Sequence, residues 1–565
     1  MLGYYITYSK KSAISSIPTD EKYNSKHIDI NNWHIERHTL HKFQNHKFFI
    51  DEPAFFFSTD GVILNRDELL QEYNCETFTE LVGSLYHQYG ETFFTTFRGS
   101  FSGVFYDKEK KLMLVFVDHT GSRLLFWEQE TDALLISSDV CWLSSQTHNF
   151  QWDQLGLYEF LTYGFMPSHH TIVKRIRRLP AGCYLRINGN TCEQIVYHRF
   201  SNNSIHRTEK EEIQGVDKLF RQAVQRVLNV NKEYGYRNIF PLSAGLDSRM
   251  ANWVAQDLTD TPIENFTYGI PNSLDVTTAQ SITSALSRKW YFRSQEGAKF
   301  YSNIDTCIRR SGLLICCAGV AEATDVIETI PIEQAGMILT GILGDEILTS
   351  KLHRSSSSYS YGECALSSIS YPEQKALIPK DFTSQYATRN IFHLYAGFER
   401  HAMGSPLAFQ HYTESYSPFL DADFIAFVFS TPESHRKNYR LYDKWVLSLY
   451  PDAAQWKHNE DTIGHRIPEI EILHRNLPIG SITKHIIWYI CKRLHIHDFY
   501  NTELQNEYII ASEHIFQEYF NDNKLFLVGL GKIAERIEEQ YHSANLQDKV
   551  QALSVLAAIK AIKEY

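Results

Sequence analysis

The sequence predicts two domains of different class: an α+β domain built on antiparallel sheet, then an α/β domain built on parallel sheet with a helical C-terminal part. Three observations predict this. The first ~200 residues alternate short β-rich runs with turns. From Val216 onward, strand-like and helix-like segments alternate, the pattern of a doubly wound sheet. A small glycine-bearing loop joins strand to helix at Phe240–Met250. A length of 565 residues suits two or three such units.

In the first domain the β-rich runs are Phe48–Ile50, Ala54–Phe57, Gly103–Tyr106, Leu112–Val117, Leu134–Ser137 and Cys183–Ile187. Helical patterns near Thr79–Tyr89 and Leu155–Leu161 intervene. The domain is assigned to residues 1–200, and 201–215, opening on the polar Ser201–Glu212, is read as a linker. The second domain, 216–565, starts on a helix whose apolar stripe is Val216, Leu219, Phe220, Ala223, Val224, Val227 and Leu228. A strand at Asn238–Leu242, a helix at Arg249–Leu258, a strand at Glu264–Gly269, a helix near Thr277–Leu286 and a strand at Gly336–Leu339 follow. Downstream of Leu352 the chain reads as helical, ending in an apolar-rich helix at Val550–Tyr565.

Two loops at predicted strand ends carry chemistry. The first, Phe240–Met250, reads Phe-Pro-Leu-Ser-Ala-Gly-Leu-Asp-Ser-Arg-Met. Backbone N–H groups and a helix N-terminus converge there, which favours an anion. Ser243 and Ser248 add hydroxyl donors, and Asp247 adds a carboxylate that makes sense if Mg²⁺ bridges it to a polyphosphate. The same residues also suit a capped turn with no ligand. The second loop, Thr340-Gly-Ile-Leu-Gly-Asp-Glu346, places Asp345 at another strand end, and Gly341 and Gly344 allow the backbone close to a ligand. An ordinary glycine turn is the alternative. Parallel sheets bind ligands at the carboxyl ends of their strands, so Leu242, Tyr268 and Thr340 can meet at one site.

Ser-x-Gly-x-Asp-Ser resembles the pyrophosphate loop of the N-type ATP pyrophosphatases. With Thr-Gly-x-x-Gly-Asp-Glu about a hundred residues on, it resembles the synthetase domain of asparagine synthetases. Glu414-Ser-Tyr-Ser-Pro-Phe-Leu-Asp421 is similar to that family's Glu-x-Arg-x-Pro-Phe-Leu-Asp segment. Phe97–Asp107, Asp118–Phe126, Leu161–Pro167, Thr171-Ile172 and Leu179–Gly182 resemble its N-terminal strands and interdomain segment, in the same order. The resemblance covers roughly residues 1–465. It implies an Ntn-hydrolase-like α+β sandwich, followed by an ATP pyrophosphatase (adenine nucleotide alpha hydrolase-like) synthetase domain. β-Lactam synthetases and lasso peptide cyclases are similar relatives.

The resemblance also implies site residues. Leu242, Ser243, Tyr268, Thr340 and Gly341 would hold ATP, and the loop Ser243–Ser248, including Gly245, Asp247 and Ser248, would hold its β- and γ-phosphates. Asp247 and Asp345 would hold Mg²⁺. Glu414 and Lys457 are the candidate catalytic residues, Lys457 lying near the family's catalytic lysine; a plain surface lysine is the alternative. The implied chemistry is carboxylate attack on the α-phosphorus of ATP, then displacement of AMP by an amine to form an amide. Its partners would be small-molecule or peptide acids and amines, and a homodimer is the expected assembly.

Departures from the family narrow this. Glutamine-using members carry a cysteine at position 2, freed by removal of the initiator methionine; here Leu2 stands there, and Asp60-Gly-Val62 replaces Asn-Gly-Glu. No Arg-Gly-Pro-Asp segment occurs near Arg37–Phe43. A structural N-terminal domain without glutaminase activity is expected. Ala244 replaces a glycine and requires a negative φ. Ile342 stands where asparagine synthetases carry Glu, and Tyr416 replaces Arg. The phosphate half of the site is kept and the acceptor half altered, which points to an AMP-forming amide ligase with a changed substrate. An ammonia-using asparagine synthetase and a nucleotide-binding partner without turnover are the alternatives.

Composition excludes other classes. A net charge of −11 argues against binding nucleic acid through bulk charge. The basic run Lys174–Arg178 reads as a solvated face. Nine cysteines without Cys-x-x-Cys spacing fit a reduced compartment, and no apolar run has membrane-spanning length, so a soluble cytoplasmic protein is expected. Lys351–Ser360 could form a lid or a surface loop, and His495-Ile-His-Asp498 is a weak metal pattern.

Overall fold

The computed structural model describes the chain outside residues 1, 10–20, 132, 190, 350–365, 368, 370, 379–385, 401–403, 458–468, 473–474 and 479–501. Lys351–Ser360 and His495–Asp498 lie outside the described residues.

The N-terminal part contains strands β1 (Gly3–Ser9), β2 (Tyr23–Ile30), β3 (Trp33–Leu40), β4 (Phe49–Asp51), β5 (Phe55–Ile63), β6 (Gly99–Asp107), β7 (Leu112–Val117), β8 (Phe126–Gln129), β9 (Ala133–Ser137), β10 (Arg177–Arg178), β11 (Cys183–Asn188) and β12 (Thr191–Val196). They form two six-stranded sheets, β10-β8-β9-β1-β3-β2 and β12-β11-β7-β6-β5-β4, antiparallel throughout. Period-2 alternation sorts the side chains. On β7, Met113, Val115 and Val117 face the first sheet, while Leu112, Leu114 and Phe116 face the helix Phe78–Tyr89. On β1, Tyr4 and Ile6 fill the inter-sheet core and Tyr5 points to the opposite face, where the helices Val140–Gln146 and Gln154–Tyr163 pack. The result is helix, sheet, sheet, helix. The helix Phe78–Tyr89 opens on a capping box between Thr77 and Glu80, which satisfies the first orphan donors.

The C-terminal part opens on the helix Glu209–Glu233 and contains β13 (Asn238–Pro241), β14 (Ile263–Gly269) and β15 (Trp290–Ser294), paired in parallel. Strands β16 (Ile338–Leu339) and β17 (Ser415–Tyr416) are also parallel, and the bridge Arg237–Ala335 joins them to β13. Their carboxyl ends therefore share one edge. The helices Leu246–Leu258 and Leu274–Ala285 each begin about three residues before the helical periodicity predicts, because Gly245 and Ser273 form their N-termini. β17 falls in a region read as helical; two residues are too few to show a period. The C-terminal helix Leu546–Glu564 is almost entirely buried and packs against Gln154–Tyr163, so one apolar core runs through both parts.

Candidate active site

Apolar Ile239 and Phe240 hold β13 in the core, and the chain leaves the strand at Leu242 into a tight loop. Within it, the Ser243 N–H donates to Ser248 Oγ at 3.1 Å, the Gly245 N–H donates to Ser243 Oγ at 3.0 Å, and the two hydroxyls lie 3.0 Å apart. Ala244 keeps a negative φ, as its side chain requires, and its N–H donates to Asp275 Oδ1 at 3.0 Å. Arg249 is fully buried in the next helix turn. Its guanidinium donates to the carbonyls of Ala244 (2.6 Å), Ala453 (2.9 Å), Trp456 (3.0 Å) and Lys457 (2.8 Å), which ties the loop to the 453–457 segment.

The second loop packs directly on the first. A Cβ at Gly341 would lie 2.4 Å from the Asp247 carbonyl carbon, and one at Gly344 would lie 2.4 Å from the Asp247 carboxyl carbon. The two glycines thus admit Asp247, whereas the sequence reading had assigned their freedom to a ligand. The contact sets the carboxylates together: the Asp345 N–H donates to Asp247 Oδ2 at 3.0 Å, and the Tyr442 hydroxyl donates to Asp247 Oδ1 at 2.7 Å. The Tyr439 hydroxyl donates to Asp345 Oδ2 at 3.2 Å. Burial, then the charge of Asp345, pushes Asp247 well above the usual carboxylate range, and Glu346 adds to the effect. Burial and Asp247 hold the Tyr442 phenol well above its ordinary value, so it stays a donor.

Both loops line one cavity of about 380 Å³ at the carboxyl edge of the sheet. Its lining combines the polar Ser243, Asp247, Ser248 and Asp345 with the rings of Phe266, Tyr268 and Phe409 and the side chain of Ile342. Burial pushes the Tyr268 phenol up to about 12, and its hydroxyl bonds Ser405. The donor set of Ser243, Asp247, Ser248 and Asp345 is all oxygen, which fits a hard dication completed by phosphate oxygens and water. Among the described residues no group of three or more His, Cys, Asp or Glu side chains is placed to hold a metal ion by itself.

The structure brings Leu242, Ser243, Gly245, Asp247, Ser248, Tyr268, Thr340, Gly341 and Asp345 into this cavity. It does not bring Glu414 or Lys457. The Lys457 side chain is exposed, and its carbonyl accepts from Arg249. Glu414 is buried at the seam between the two parts of the fold. Lys47 Nζ lies 3.0 Å from its Oε1, an ion pair without hydrogen-bond geometry, and Arg123 pairs with its Oε2. Arg123 also reaches Asp60 at 3.4 Å. Asp60, Arg123 and Leu2 line a separate cavity of about 80 Å³. Tyr416, standing in place of an arginine, donates to Asp421 at 3.2 Å, while Arg226 from the helix Glu209–Glu233 supplies the charge at 3.0 Å.

Asp275, Ser405, Phe409, Tyr439 and Tyr442 belong to the site, and sequence reasoning missed them. Asp275 carries a faint signal, an acid in the first turn after a predicted strand. The others sit on helices whose spacing marks only a buried face.

Residues 53–198 match the family model of the glutamine amidotransferase domain. The architecture of that part, two antiparallel sheets between helices, agrees with such a domain, and a parallel α/β sheet follows it. A 235-residue stretch is 26% identical to asparagine synthetase [glutamine-hydrolyzing] 2 of Bacillus subtilis, covering 38% of this chain and 30% of that protein. A 268-residue stretch is 24% identical to putative asparagine synthetase [glutamine-hydrolyzing] 2 of Methanocaldococcus jannaschii, covering 45% and 50%. Amidase chyE of Penicillium rubens is 24% identical over 238 residues, 38% of this chain and 32% of its own. The chain thus spans no more than half the length of these relatives. Its sequence is similar to asparagine synthetases over these stretches, at low identity. The solved glutamine phosphoribosylpyrophosphate amidotransferase of B. subtilis is similar over 55% of this chain and 67% of its own, at 11% identity and a TM-score of 0.22, too loose a likeness to carry an argument. No described helix is long and apolar enough to cross a membrane.

Proposed function

We propose that the protein is an ATP-dependent, AMP-forming amide ligase that resembles asparagine synthetase but does not use glutamine. One observation carries this reading: the hydroxyl-bearing Ser243 and Ser248, the first turn of the helix Leu246–Leu258 and a pair of half-buried carboxylates line the same cavity at the carboxyl edge of a parallel sheet. The Ser243–Ser248 loop would cradle the β- and γ-phosphates, and the apolar lining beside Tyr268 and Phe409 would take the adenine. Asp247 and Asp345 would hold Mg²⁺, which when bound neutralises charge on the leaving pyrophosphate. A substrate carboxylate oxygen would attack the α-phosphorus as the bond to the β-phosphate oxygen breaks, giving acyl-adenylate and pyrophosphate. An amine nitrogen would then attack the acyl carbon, AMP would leave, and the amine would lose a proton. The role of the loops is to fix the in-line geometry.

A changed acceptor is favoured over aspartate and ammonia by Ile342, which puts an aliphatic wall where asparagine synthetases carry Glu. Independence from glutamine is favoured by Leu2 in place of the nucleophilic cysteine and by Asp60, which is held by Arg123 in the seam's ion-pair cluster. The test is pyrophosphate release from MgATP with candidate acids and amines offered in turn. Acid-dependent release, lost in Asp247→Asn, supports the ligase. Release with aspartate and ammonium would make the protein an ammonia-using asparagine synthetase. MgATP binding with no release under any acid would favour a nucleotide-binding partner protein without turnover.

A further inference from the structure

The helix Arg440–Leu449 does not line the cavity, yet its first turn faces both carboxylates. Tyr439, its N-cap residue, donates to Asp345 Oδ2 at 3.2 Å, and Tyr442 donates to Asp247 Oδ1 at 2.7 Å. Residues three apart share a helix face, so one turn of helix delivers one phenol to each acid. Packing fixes these donors. The fully buried Tyr442 ring stacks on Trp445 at 5.8 Å and meets Phe419 edge-on at 6.2 Å. Trp445 Nε1 donates to Asp217 at 3.0 Å, anchoring the helix to Glu209–Glu233. The Tyr439 N–H donates to Thr349 Oγ1 at 3.3 Å, just past the second loop.

We infer that Tyr439 and Tyr442 are the positioning residues of the cation site and that they set its preference for Mg²⁺ over larger dications. The inference rests on the nucleotide reading above. Donors behind a metal-binding carboxylate fix its orientation and basicity, and losing one typically costs about 10- to 100-fold in metal affinity. Here Asp247 has a donor on each oxygen, Tyr442 on Oδ1 and the Asp345 N–H on Oδ2. Each oxygen keeps a lone pair, but chelation by both at once would compete with both donors. One-oxygen binding suits Mg²⁺, which demands near-octahedral geometry and keeps its waters. Ca²⁺ gains from two-oxygen carboxylates and tolerates irregular shells.

The test is nucleotide binding, not turnover. The α,β-methylene analogue of ATP, which cannot release pyrophosphate, is titrated calorimetrically into the full chain over a range of Mg²⁺ or Ca²⁺ concentrations. Wild type is expected to need a dication and to prefer Mg²⁺. In Tyr442→Phe the Mg²⁺ concentration for half-maximal binding should rise about 10- to 100-fold, the Mg²⁺/Ca²⁺ ratio should narrow, and weak binding in EDTA should be unchanged. A purely structural role would lower binding under all three conditions alike. An unchanged Mg²⁺ requirement and ion preference in a folded Tyr442→Phe overturns the inference. If circular dichroism shows that this variant is unfolded, Tyr439→Phe is read by the same criteria through Asp345. A wild type that binds the analogue equally in EDTA has no cation site, which overturns the inference, and a folded wild type that binds no analogue under any condition fails the nucleotide reading itself.

Discussion

Two charge clusters, one buried and one half-buried, lie along the same pair of strands and are built oppositely. At the seam, by the start of β17, Glu414 and Asp60 face Lys47 and Arg123, with Arg37 alongside; each of the five is at most 7% exposed. Beyond the end of β16, Asp247 faces Asp345, and the charges acting on it are negative. Burying a charge costs several kcal/mol unless an opposite charge repays it. The seam repays it within the chain. The cavity does not, so a cation from outside is what completes it. A third case is Glu159, with no exposure and Ser168 Oγ donating at 2.6 Å. Burial pushes its carboxyl up to about 8, so it resolves the same cost by keeping its proton. The acids of the seam are ion-paired, Glu159 is protonated, and the half-buried Asp247 and Asp345 share one end of a loop pair that opens onto a cavity of about 380 Å³.

The contrast can be broken experimentally. Glu414→Ala leaves Lys47 and Arg123 buried without their acid, and chemical denaturation should show a loss of about 3–5 kcal/mol, while nucleotide affinity changes less than about threefold. A larger loss of affinity would tie the seam to the site. Glu159 gives the next effect. Its folded pKa lies above that of the unfolded chain, so the folded state holds a proton that the unfolded chain releases between about pH 4.5 and 8. Stability should fall as pH rises through that window. Glu159→Gln should flatten this limb and gain roughly 4 kcal/mol at pH 8, read from urea midpoints at several pH values; an unchanged slope would place the proton elsewhere.

Gly344→Ala pushes a methyl into the Asp247 carboxylate and should cost about 1–3 kcal/mol, with loss of Mg²⁺-dependent nucleotide binding. Full retention of binding would mean that the close packing of the second loop on Asp247 is not needed. The smallest effect belongs to a pair that water already reaches. Asp423, its side chain 39% exposed, meets Arg98 at 2.8 Å on the seam's rim, and Asp423→Asn should cost under about 1 kcal/mol.

Much of this was legible in sequence where the signal is local. Leu242, Ser243 and Asp247 follow an apolar strand within one short loop, and Thr340-Gly-x-x-Gly-Asp announces the second loop by its glycines. What those glycines are for was not legible, because contact between Gly344 and Asp247 spans about a hundred residues of sequence. Glu414 reads as a catalytic acid because it precedes Pro-Phe-Leu-Asp, and only the fold shows Lys47 and Arg123 brought to it from the other part of the chain. Strands β2 and β3 escaped because their polar residues look like loop. The tyrosines behind the carboxylates escaped because a buried helix face gives no hint of which hydroxyl meets an acid.

The central claim is that the acid pair is a site for nucleotide and Mg²⁺. The most direct measurement is ATP binding by calorimetry, with Mg²⁺ and in EDTA, for wild type and Asp247→Asn. The account predicts micromolar-range binding that requires Mg²⁺ and weakens more than about 100-fold in the variant. Equal binding in EDTA, or full binding by Asp247→Asn, would contradict it.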